Sequence, residues 1–400
     1  QEEKPMKKRI LSLLMAVLML VTMLPVQAVA AELTASDGQE QQTEPITAFE
    51  TEVDFVEDTQ EPVEEEPAAD EPADAAEDIQ PAEDEEPADA AALAVAEESD
   101  FNFTVNNGAA TITKYNGTGG DVEIPATLGN VPVTAIGSSA FSGCTSLTSM
   151  TFPVSVTKID TYAFWNCSNL SSVTLPEKLE ELNGCAFSGT ALTSITIPTT
   201  LKTVYTAYAD GTYGHGPFYK CEKLEAVTFE EGMTAIPGYL MRDCAGLKTI
   251  TWASSITSIG TYAFNYCTGL EELVIPGKIA TIGDNAFSYC AGLKSVTLQE
   301  GTATIGRYAF SGCTGLTDMT FPASVTKIDS YAFWNCSNLG SVTLPERLEE
   351  LNGCAFGGTA LTNITIPATL KTVDTAYADG TYGHGPFYKC EKLEAVTFEE

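Results

Sequence analysis

Apolar and polar positions alternate in a unit that recurs along most of the chain. The first full copy reads Cys-x-x-Leu-x-x-Φ-x-Φ-Pro-x-x-Val-x-x-Ile, where Φ is apolar, and ends in Ala163-Phe164. Its Leu-x-x-Φ-x-Φ segment has the two-residue period of a short strand with one buried face. The proline that follows cannot continue a ladder of hydrogen bonds. Val156 and Ile159 lie three residues apart, which predicts one helical turn.

The aromatic residue that closes each unit gives the repeat length. The spacing is 23 residues in eight steps and 31 residues in the two steps that end at Phe218 and Phe387. The eleven positions are Phe141, Phe164, Phe187, Phe218, Met241, Phe264, Phe287, Phe310, Phe333, Phe356 and Phe387. A single unit cannot bury its apolar face, so the units must stack as a repeat solenoid joined by a parallel sheet.

The full pattern Leu-x-x-Φ-x-Φ-Pro-x-x-Val-x-x-Ile-Gly-x-x-Ala-Phe-x-x-Cys resembles the BspA-like, or treponemal-type, leucine-rich repeat of bacterial surface proteins. The resemblance covers residues 121–400. It implies a right-handed, curved leucine-rich-repeat coil of about eleven turns with one parallel sheet. It also implies display outside the cell and binding to proteins of a host or of neighbouring cells. Met241 departs from the pattern, as do the turns at Phe187 and Phe356, which lack the cysteine.

The segment before the repeats predicts a cap. Residues 103–115 read FTVNNGAATITKY, two alternating β-prone runs about Asn107-Gly108. An Asn-Gly pair between such runs is a strong hairpin signal. We therefore expect an N-terminal β-hairpin cap at 101–136 and a leucine-rich-repeat solenoid at 137–400. Because the pattern stops in mid-unit at Glu400, we expect the solenoid to be truncated at its C-terminus.

The N-terminal hundred residues differ in charge and composition. Lys7-Lys8-Arg9, an apolar run from Ile10 to Leu24 and Ala28-Val29-Ala30 predict a signal peptide at 1–30 that starts at Met6. The run is too short to span a bilayer comfortably, so no transmembrane span is predicted in this chain. Residues 31–100 hold 26 of the 55 acidic residues and no Lys or Arg, which predicts an acidic disordered linker. A tail that binds calcium or a cationic partner is the alternative for this linker. Nucleic acid is excluded as a partner, since no basic patch exists.

Nine of the eleven cysteines lie three residues after the aromatic position. A row of disulfides, a set of metal sites and a buried packing ladder could each explain this spacing. Equivalent side chains on stacked turns point the same way, which suits the disulfide dihedral poorly. No histidine accompanies the row and no C-x-x-C pair occurs, so no metal and no cofactor is predicted. We expect buried, reduced thiols that pack as small apolar groups.

Two surfaces are candidates for ligand binding. The first is the exposed face of the predicted strands, whose central positions carry a row of threonines. We select on it Thr251, Glu271, Glu272, Thr297, Asp318 and Thr320. The second is the pair of lengthened turns at 206–221 and 375–390, with Tyr208, Tyr213, His215, Tyr219, Tyr377, Tyr382, His384 and Tyr388. A solvated sheet explains the threonines without a ligand, and ordinary surface loops explain the lengthened turns.

Catalytic motifs are missing from the sequence. It contains no G-x-S-x-G, no H-E-x-x-H and no glycine loop that would bind phosphate, so we predict no enzymatic activity. The prediction is a secreted or cell-surface protein that binds an extracellular protein or a surface polymer in adhesion. The alternative is a passive stalk that presents a further C-terminal domain.

Overall fold

The computed structural model describes residues 96–206, 214–374 and 384–400. The predicted signal peptide and nearly all of the acidic linker lie outside these residues. Ala91–Glu400 is one compact unit built as a stack of about ten turns. The sequence predicted about eleven turns, which is close to this number. The predicted repeat solenoid is therefore confirmed. Within the described residues the one helical segment is a 3-10 turn at Glu98–Asp100.

An antiparallel hairpin stands at the N-terminal end of the stack. Its strands are β1 (Phe101–Asn106) and β2 (Ala109–Tyr115), followed by β3 (Gly120–Glu123), β4 (Thr127–Leu128) and β5 (Val131–Ile136). Asn107 and Gly108 have φ values of 51° and 76°, the left-handed pair that a tight hairpin turn requires. Because β2 also pairs in parallel with β5, the hairpin continues into the first turn of the coil.

Each turn contributes one strand at the predicted Leu-x-x-Φ-x-Φ segment, and we call these the long strands. They are β6 (Leu147–Thr151), β8 (Ser172–Thr174), β10 (Ser194–Ile197), β11 (Ala226–Phe229), β13 (Thr249–Thr251), β15 (Glu272–Ile275), β17 (Ser295–Leu298), β19 (Asp318–Thr320), β21 (Ser341–Thr343), β23 (Asn363–Ile366) and β24 (Ala395–Phe398). The long strands pair in parallel and in register within five groups, as Thr228 of β11 pairs with Thr251 of β13. The groups are β3-β6-β8, β10-β11-β13, β15-β17, β19-β21 and β23-β24. In β17 exposed and buried residues alternate, which gives one inward and one outward face.

A second row of parallel strands runs through the segment that was expected to be helical. It consists of β7 (Lys158–Ile159), β9 (Glu181–Leu182), β12 (Ala235–Ile236), β14 (Ser258–Ile259), β16 (Thr281–Ile282), β18 (Thr304–Ile305), β20 (Lys327–Ile328) and β22 (Glu350–Leu351). The helical turn predicted for Val156 and Ile159 is therefore wrong. Val156 N–H closes one tight turn on Pro153 O, and Asp160 N–H then donates to Ile136 O of the preceding turn. Backbone donors here bond between turns, so a helix cannot propagate.

The core is a stack of phenylalanine rings along the coil. Consecutive rings lie from 4.8 Å apart, between Phe141 and Phe164, to 6.0 Å apart, between Phe356 and Phe387. Met241 replaces one ring and is fully buried, like Phe218 before it and Phe264 after it. Thus the departure from the repeat pattern leaves the core continuous.

Ladder cysteines pack in the apolar core beside these rings, and the predicted burial of the thiols is confirmed. Nine of the eleven are buried, while Cys144 and Cys390, near the two ends of the stack, are partly buried. Each ladder thiol from Cys167 onward donates to the carbonyl of the residue at the aromatic position one turn earlier, which is Met241 for Cys267. The Sγ to O distance is 3.0 Å for Cys167 and 3.2 Å for Cys290. Burial raises the pKa of both thiols to about 12. Such thiols carry almost no thiolate and serve as packing groups.

Candidate functional site

The outward side chains of the long strands lie at equivalent positions of successive turns, and we call this surface the strand face. Thr251, Thr297 and Thr320 are exposed on it in one column along the coil, as the sequence predicted. Val274 takes the place of threonine in the turn between Thr251 and Thr297 and is 49% exposed. This exposed, branched apolar side chain in a row of threonines forms a small apolar area at the centre of the strand face.

Charged side chains flank that column at the same turns. Glu272 and Asp318 are exposed at the outward position two residues before Val274 and Thr320. Within the described residues no Lys or Arg forms an ion pair with either carboxylate. Asp318 Oδ2 does accept a hydrogen bond from the hydroxyl of Thr317 at 3.0 Å. These two carboxylates can therefore meet a basic partner without breaking an internal ion pair.

Glu271 is in a different situation, because it pairs with the next turn. Lys294 Nζ lies 2.9 Å from Glu271 Oε2, and this hydrogen bond and charge lower the pKa of the glutamate. The same arrangement recurs two turns earlier, where Lys248 lies 2.9 Å from Glu225. Glu271 was selected with Glu272 from the sequence, but among the described residues an ion pair is formed by Glu271 and not by Glu272. Glu271 belongs to a row of exposed ion pairs beside the strand face.

The described end of the first lengthened turn, residues 214–221, contacts the turn that follows it. The rings of His215 and Tyr219 stack with centroids 3.7 Å apart. Arg242 Nη1 donates to Gly214 O at 3.3 Å, and Arg242 Nε lies 3.2 Å from Asp243 Oδ2. Burial lowers the pKa of His215, and the Arg242 guanidinium acts in the same direction. Burial raises the pKa of Asp243, and the charge of the nearby Arg242 partly offsets this increase.

The second lengthened turn repeats the same stack. His384 and Tyr388 have ring centroids 3.6 Å apart, and Tyr388 also stacks on Trp334 at 6.2 Å. The remaining predicted residues of these turns are Tyr208, Tyr213, Tyr377 and Tyr382, which lie outside the described residues. The structure therefore brings together one histidine and one tyrosine in each lengthened turn.

A row of tyrosines on the surface of the coil was not predicted from the sequence. Tyr239, Tyr262, Tyr308 and Tyr331 each stand two residues before the buried aromatic position and have φ between 55° and 63°. A left-handed backbone is unfavourable for a bulky residue. Here it is fixed because the N–H of each donates to a carbonyl of the next turn, as Tyr262 does to Asp284 O at 2.9 Å. The signal in the sequence was a tyrosine at constant offset from the phenylalanine.

Stacking joins members of this row, which we call the tyrosine row. Tyr239 and Tyr262 have ring centroids 5.0 Å apart, and Tyr308 and Tyr331 have centroids 4.6 Å apart. These distances are close to the separation of adjacent turns, so the rings follow the coil. A parallel pair, Tyr266 and Tyr289 at 4.8 Å, lies two residues after the aromatic position.

Neither a metal cluster nor a membrane span is found in the part of the chain that the structure describes. No group of three or more His, Cys, Asp or Glu side chains there has the arrangement of a metal site. None of the described helical segments is both long enough and apolar enough to cross a bilayer.

Stacked turns with short parallel strands and inward Leu, Ile and Phe define a leucine-rich-repeat solenoid. The sequence matches the BspA type leucine rich repeat region in six copies, over residues 121–211, 211–313 and 257–394. The chain therefore belongs to the BspA-type leucine-rich-repeat family, which confirms the resemblance seen in the sequence. Among curated proteins the chain has no significant match.

Solved structures of bacterial leucine-rich-repeat proteins are similar to the chain. The T. pallidum leucine-rich repeat protein is 25% identical, with 56% of this chain and 80% of that chain covered and a TM-score of 0.31. A leucine rich cell surface protein from Faecalibacterium prausnitzii is 22% identical, with 76% and 94% covered and a TM-score of 0.35. The pneumococcal vaccine antigen PcpA is 18% identical, with 77% and 88% covered and a TM-score of 0.40.

Proposed function

We propose that the chain is secreted, is displayed at the cell surface, and binds an extracellular protein or surface polymer of host or neighbouring cells through its strand face. Membership of a leucine-rich-repeat family of surface proteins supports the binding role. The basic and apolar segments between Met6 and Ala30 support secretion. The role is that of a binding module in adhesion rather than of an enzyme.

The observation that carries this proposal is the contrast between the two faces of the long strands. Inward positions repeat leucine, isoleucine, valine and phenylalanine, as packing requires. One outward column instead changes from turn to turn and is exposed throughout, in the order Thr249, Glu272, Ser295, Asp318 and Ser341. Together with exposed Val274, the carboxylates of Glu272 and Asp318, which make no ion pair with any described residue, give this stretch a chemical pattern of its own. We infer a partner surface with basic groups about an apolar contact.

The test is a charge reversal on the strand face of the full chain. The double variant Glu272→Lys/Asp318→Lys is compared with Glu300→Lys/Glu346→Lys, which changes the net charge equally at exposed positions away from the strand face. Binding to an immobilised surface-protein extract of epithelial cells is measured by surface plasmon resonance. The strand-face variant is expected to lose affinity by about tenfold or more, while the control stays within a factor of about two. Equal losses in the two variants would contradict the proposal.

The two lengthened turns provide a second contact in the same function. Seven turns separate Phe218 from Phe387, so the His215–Tyr219 and His384–Tyr388 stacks lie roughly 34 Å apart at about 4.8 Å per turn. A repetitive ligand that engages both would gain roughly 10²–10⁴ in avidity. Deletion of 207–213 and 375–383, singly and together, tests the contribution. Unchanged binding after both deletions would leave the strand face as the binding surface.

A passive stalk is the competing function, and the same measurement separates the two. A stalk predicts that the unaltered chain binds neither the epithelial extract nor a bacterial surface extract above the level of a control protein. The binding proposal predicts saturable binding that depends on Glu272 and Asp318.

A further inference from the structure

Between Tyr239 and Tyr331 the tyrosine row is interrupted at one turn. Asn285 takes the equivalent position, with a φ of 56°, between Tyr262 in the preceding turn and Tyr308 in the following turn. The shorter side chain leaves the two tyrosines two turn spacings apart, which is roughly 10 Å. Rings elsewhere in the row stack at 4.6–5.0 Å, so one more ring between Tyr262 and Tyr308 would have the spacing found along the row.

An open groove of about 370 Å³ lies at this interruption. Tyr262, Tyr289 and Tyr308 supply its aromatic lining, and Asp284, Asn285 and Arg307 supply polar groups. The volume falls in the range of about 300–1,000 Å³ that is typical of small-molecule sites. Tyr289 is 48% exposed and stacks on Tyr266, which extends the aromatic surface beyond the groove.

The polar groups at the groove are held in place by the backbone. Asp284 Oδ1 accepts a hydrogen bond from the Arg307 N–H at 2.9 Å. A Cβ at Gly306 would lie 2.7 Å from the same oxygen, so the absence of a side chain there lets the carboxylate approach. Arg307 Cζ lies 5.1 Å from the Tyr308 ring and 5.6 Å from the Tyr331 ring, beside the stacked pair.

Asp284 and Asn285 retain capacity for hydrogen bonds to a ligand. A carboxylate has about four acceptor sites, and the Arg307 N–H uses one of those on Asp284. In the described part of the chain the Asn285 amide makes no side-chain hydrogen bond, so its donors and its acceptor are open to a ligand. One carboxylate and one guanidinium balance each other in charge. The overall net charge of −35 also disfavours acidic ligands.

We propose that this groove binds a neutral saccharide chain, with one sugar ring between Tyr262 and Tyr308 and its hydroxyls bonded to Asp284, Asn285 and Arg307. The C–H groups on a sugar face are weakly positive and meet the negative face of a tyrosine ring. Sugar hydroxyls both donate and accept, so they satisfy a carboxylate, an amide and a guanidinium together. A proline-rich peptide also fits aromatic grooves, but proline has no backbone N–H that could donate a hydrogen bond to Asp284. The site lies off the strand face and is independent of the proposed protein binding.

The tyrosine row itself supplies the blocking variant. Asn285→Tyr restores the residue found at the same left-handed position in Tyr262 and Tyr308, so the fold tolerates it while the new ring fills the groove. Ser139→Tyr is the matched control, because Ser139 has a φ of 58° at the same position of another turn, outside the groove. Arg307→Gln removes the guanidinium and keeps a donor. Circular dichroism and thermal unfolding verify that all three variants are folded.

Isothermal titration with neutral hexasaccharides of glucose, mannose, galactose and N-acetylglucosamine measures binding to the full chain. We expect at least one of them to bind, with affinity lowered about tenfold or more in Asn285→Tyr and unchanged in Ser139→Tyr. Arg307→Gln should lose several-fold. Absence of binding to all four at millimolar concentration overturns the proposal. So does equal weakening by Asn285→Tyr and Ser139→Tyr, or an effect of Asn285→Tyr confined to protein ligands. Because Glu272 and Asp318 take no part, failure here leaves the strand-face result unaffected.

Discussion

Replacing Phe264 by alanine should destabilise the coil locally, and the contacts of the side chain allow the loss of stability to be calculated. The side chain is fully buried, stacks on Phe287 at 5.2 Å, and meets the edges of Trp252 at 5.8 Å and Phe229 at 6.3 Å. Burial of such a side chain is worth about 1.5–3 kcal/mol, and aromatic pairs add about 0.5–1.5 kcal/mol. With the cavity that remains, we expect Phe264→Ala to cost about 3–5 kcal/mol.

Amide hydrogen exchange followed by mass spectrometry measures this loss of stability in each turn separately. Because each turn contacts its neighbours, exchange should accelerate by roughly a hundredfold to several thousandfold between residues 241 and 290 and stay unchanged around Phe333. Phe264→Met is the control, since Met241 fills the equivalent position one turn away, and it should cost less than about 1.5 kcal/mol. A loss below about 1 kcal/mol in Phe264→Ala, or acceleration spread evenly along the coil, would refute the assignment of the core.

Three further outcomes follow from the packing. An alkylating reagent should label nearly all eleven cysteines in denatured, non-reduced protein but few in folded protein. In the folded protein the partly buried Cys144 and Cys390 should react first. Intact disulfides found by mass spectrometry would contradict this prediction. The pKa of His215 is lowered in the folded state, so the unfolded state binds this proton more readily. Protection of residues 214–221 from amide exchange should therefore be complete above about pH 6.5 and decline as the pH falls below it. Protection that increases on acidification would contradict the lowered pKa. Gly108→Ala, at a φ of 76°, should destabilise the hairpin by about 1–2 kcal/mol in thermal unfolding, and no change would exclude the left-handed turn.

The sequence predicted the parts of the fold that depend on side-chain periodicity. The two-residue alternation gave the long strands, and the constant offset of Cys167 and its equivalents gave the buried ladder. The row of short strands at Ile159 was not predicted, because two residues carry no measurable alternation. Three-residue spacing fits a helical turn equally well, and hydrogen bonds between turns decide the conformation.

The candidate site was less accessible from the sequence because it depends on neighbours one turn away. Glu271 and Glu272 are adjacent and alike in sequence, but Lys294, 23 residues later, pairs with Glu271. The groove at Asn285 depends on a missing tyrosine between two turns that have one. Such features appear only when the turns are placed in register.

Photo-crosslinking from the strand face tests the proposed binding most directly. The residue p-benzoylphenylalanine is introduced in place of Thr297, exposed at the centre of the strand face, or in place of Ala323, exposed in a connecting turn outside it. Each full-length variant is irradiated on intact epithelial cells, and adducts are separated by mass and identified. We predict adducts with cell-surface proteins or polymers from position 297, suppressed by Glu272→Lys/Asp318→Lys, and few or none from position 323. Equal adduct yields from the two positions, or none from position 297 while the chain still binds the cells, would contradict binding through the strand face.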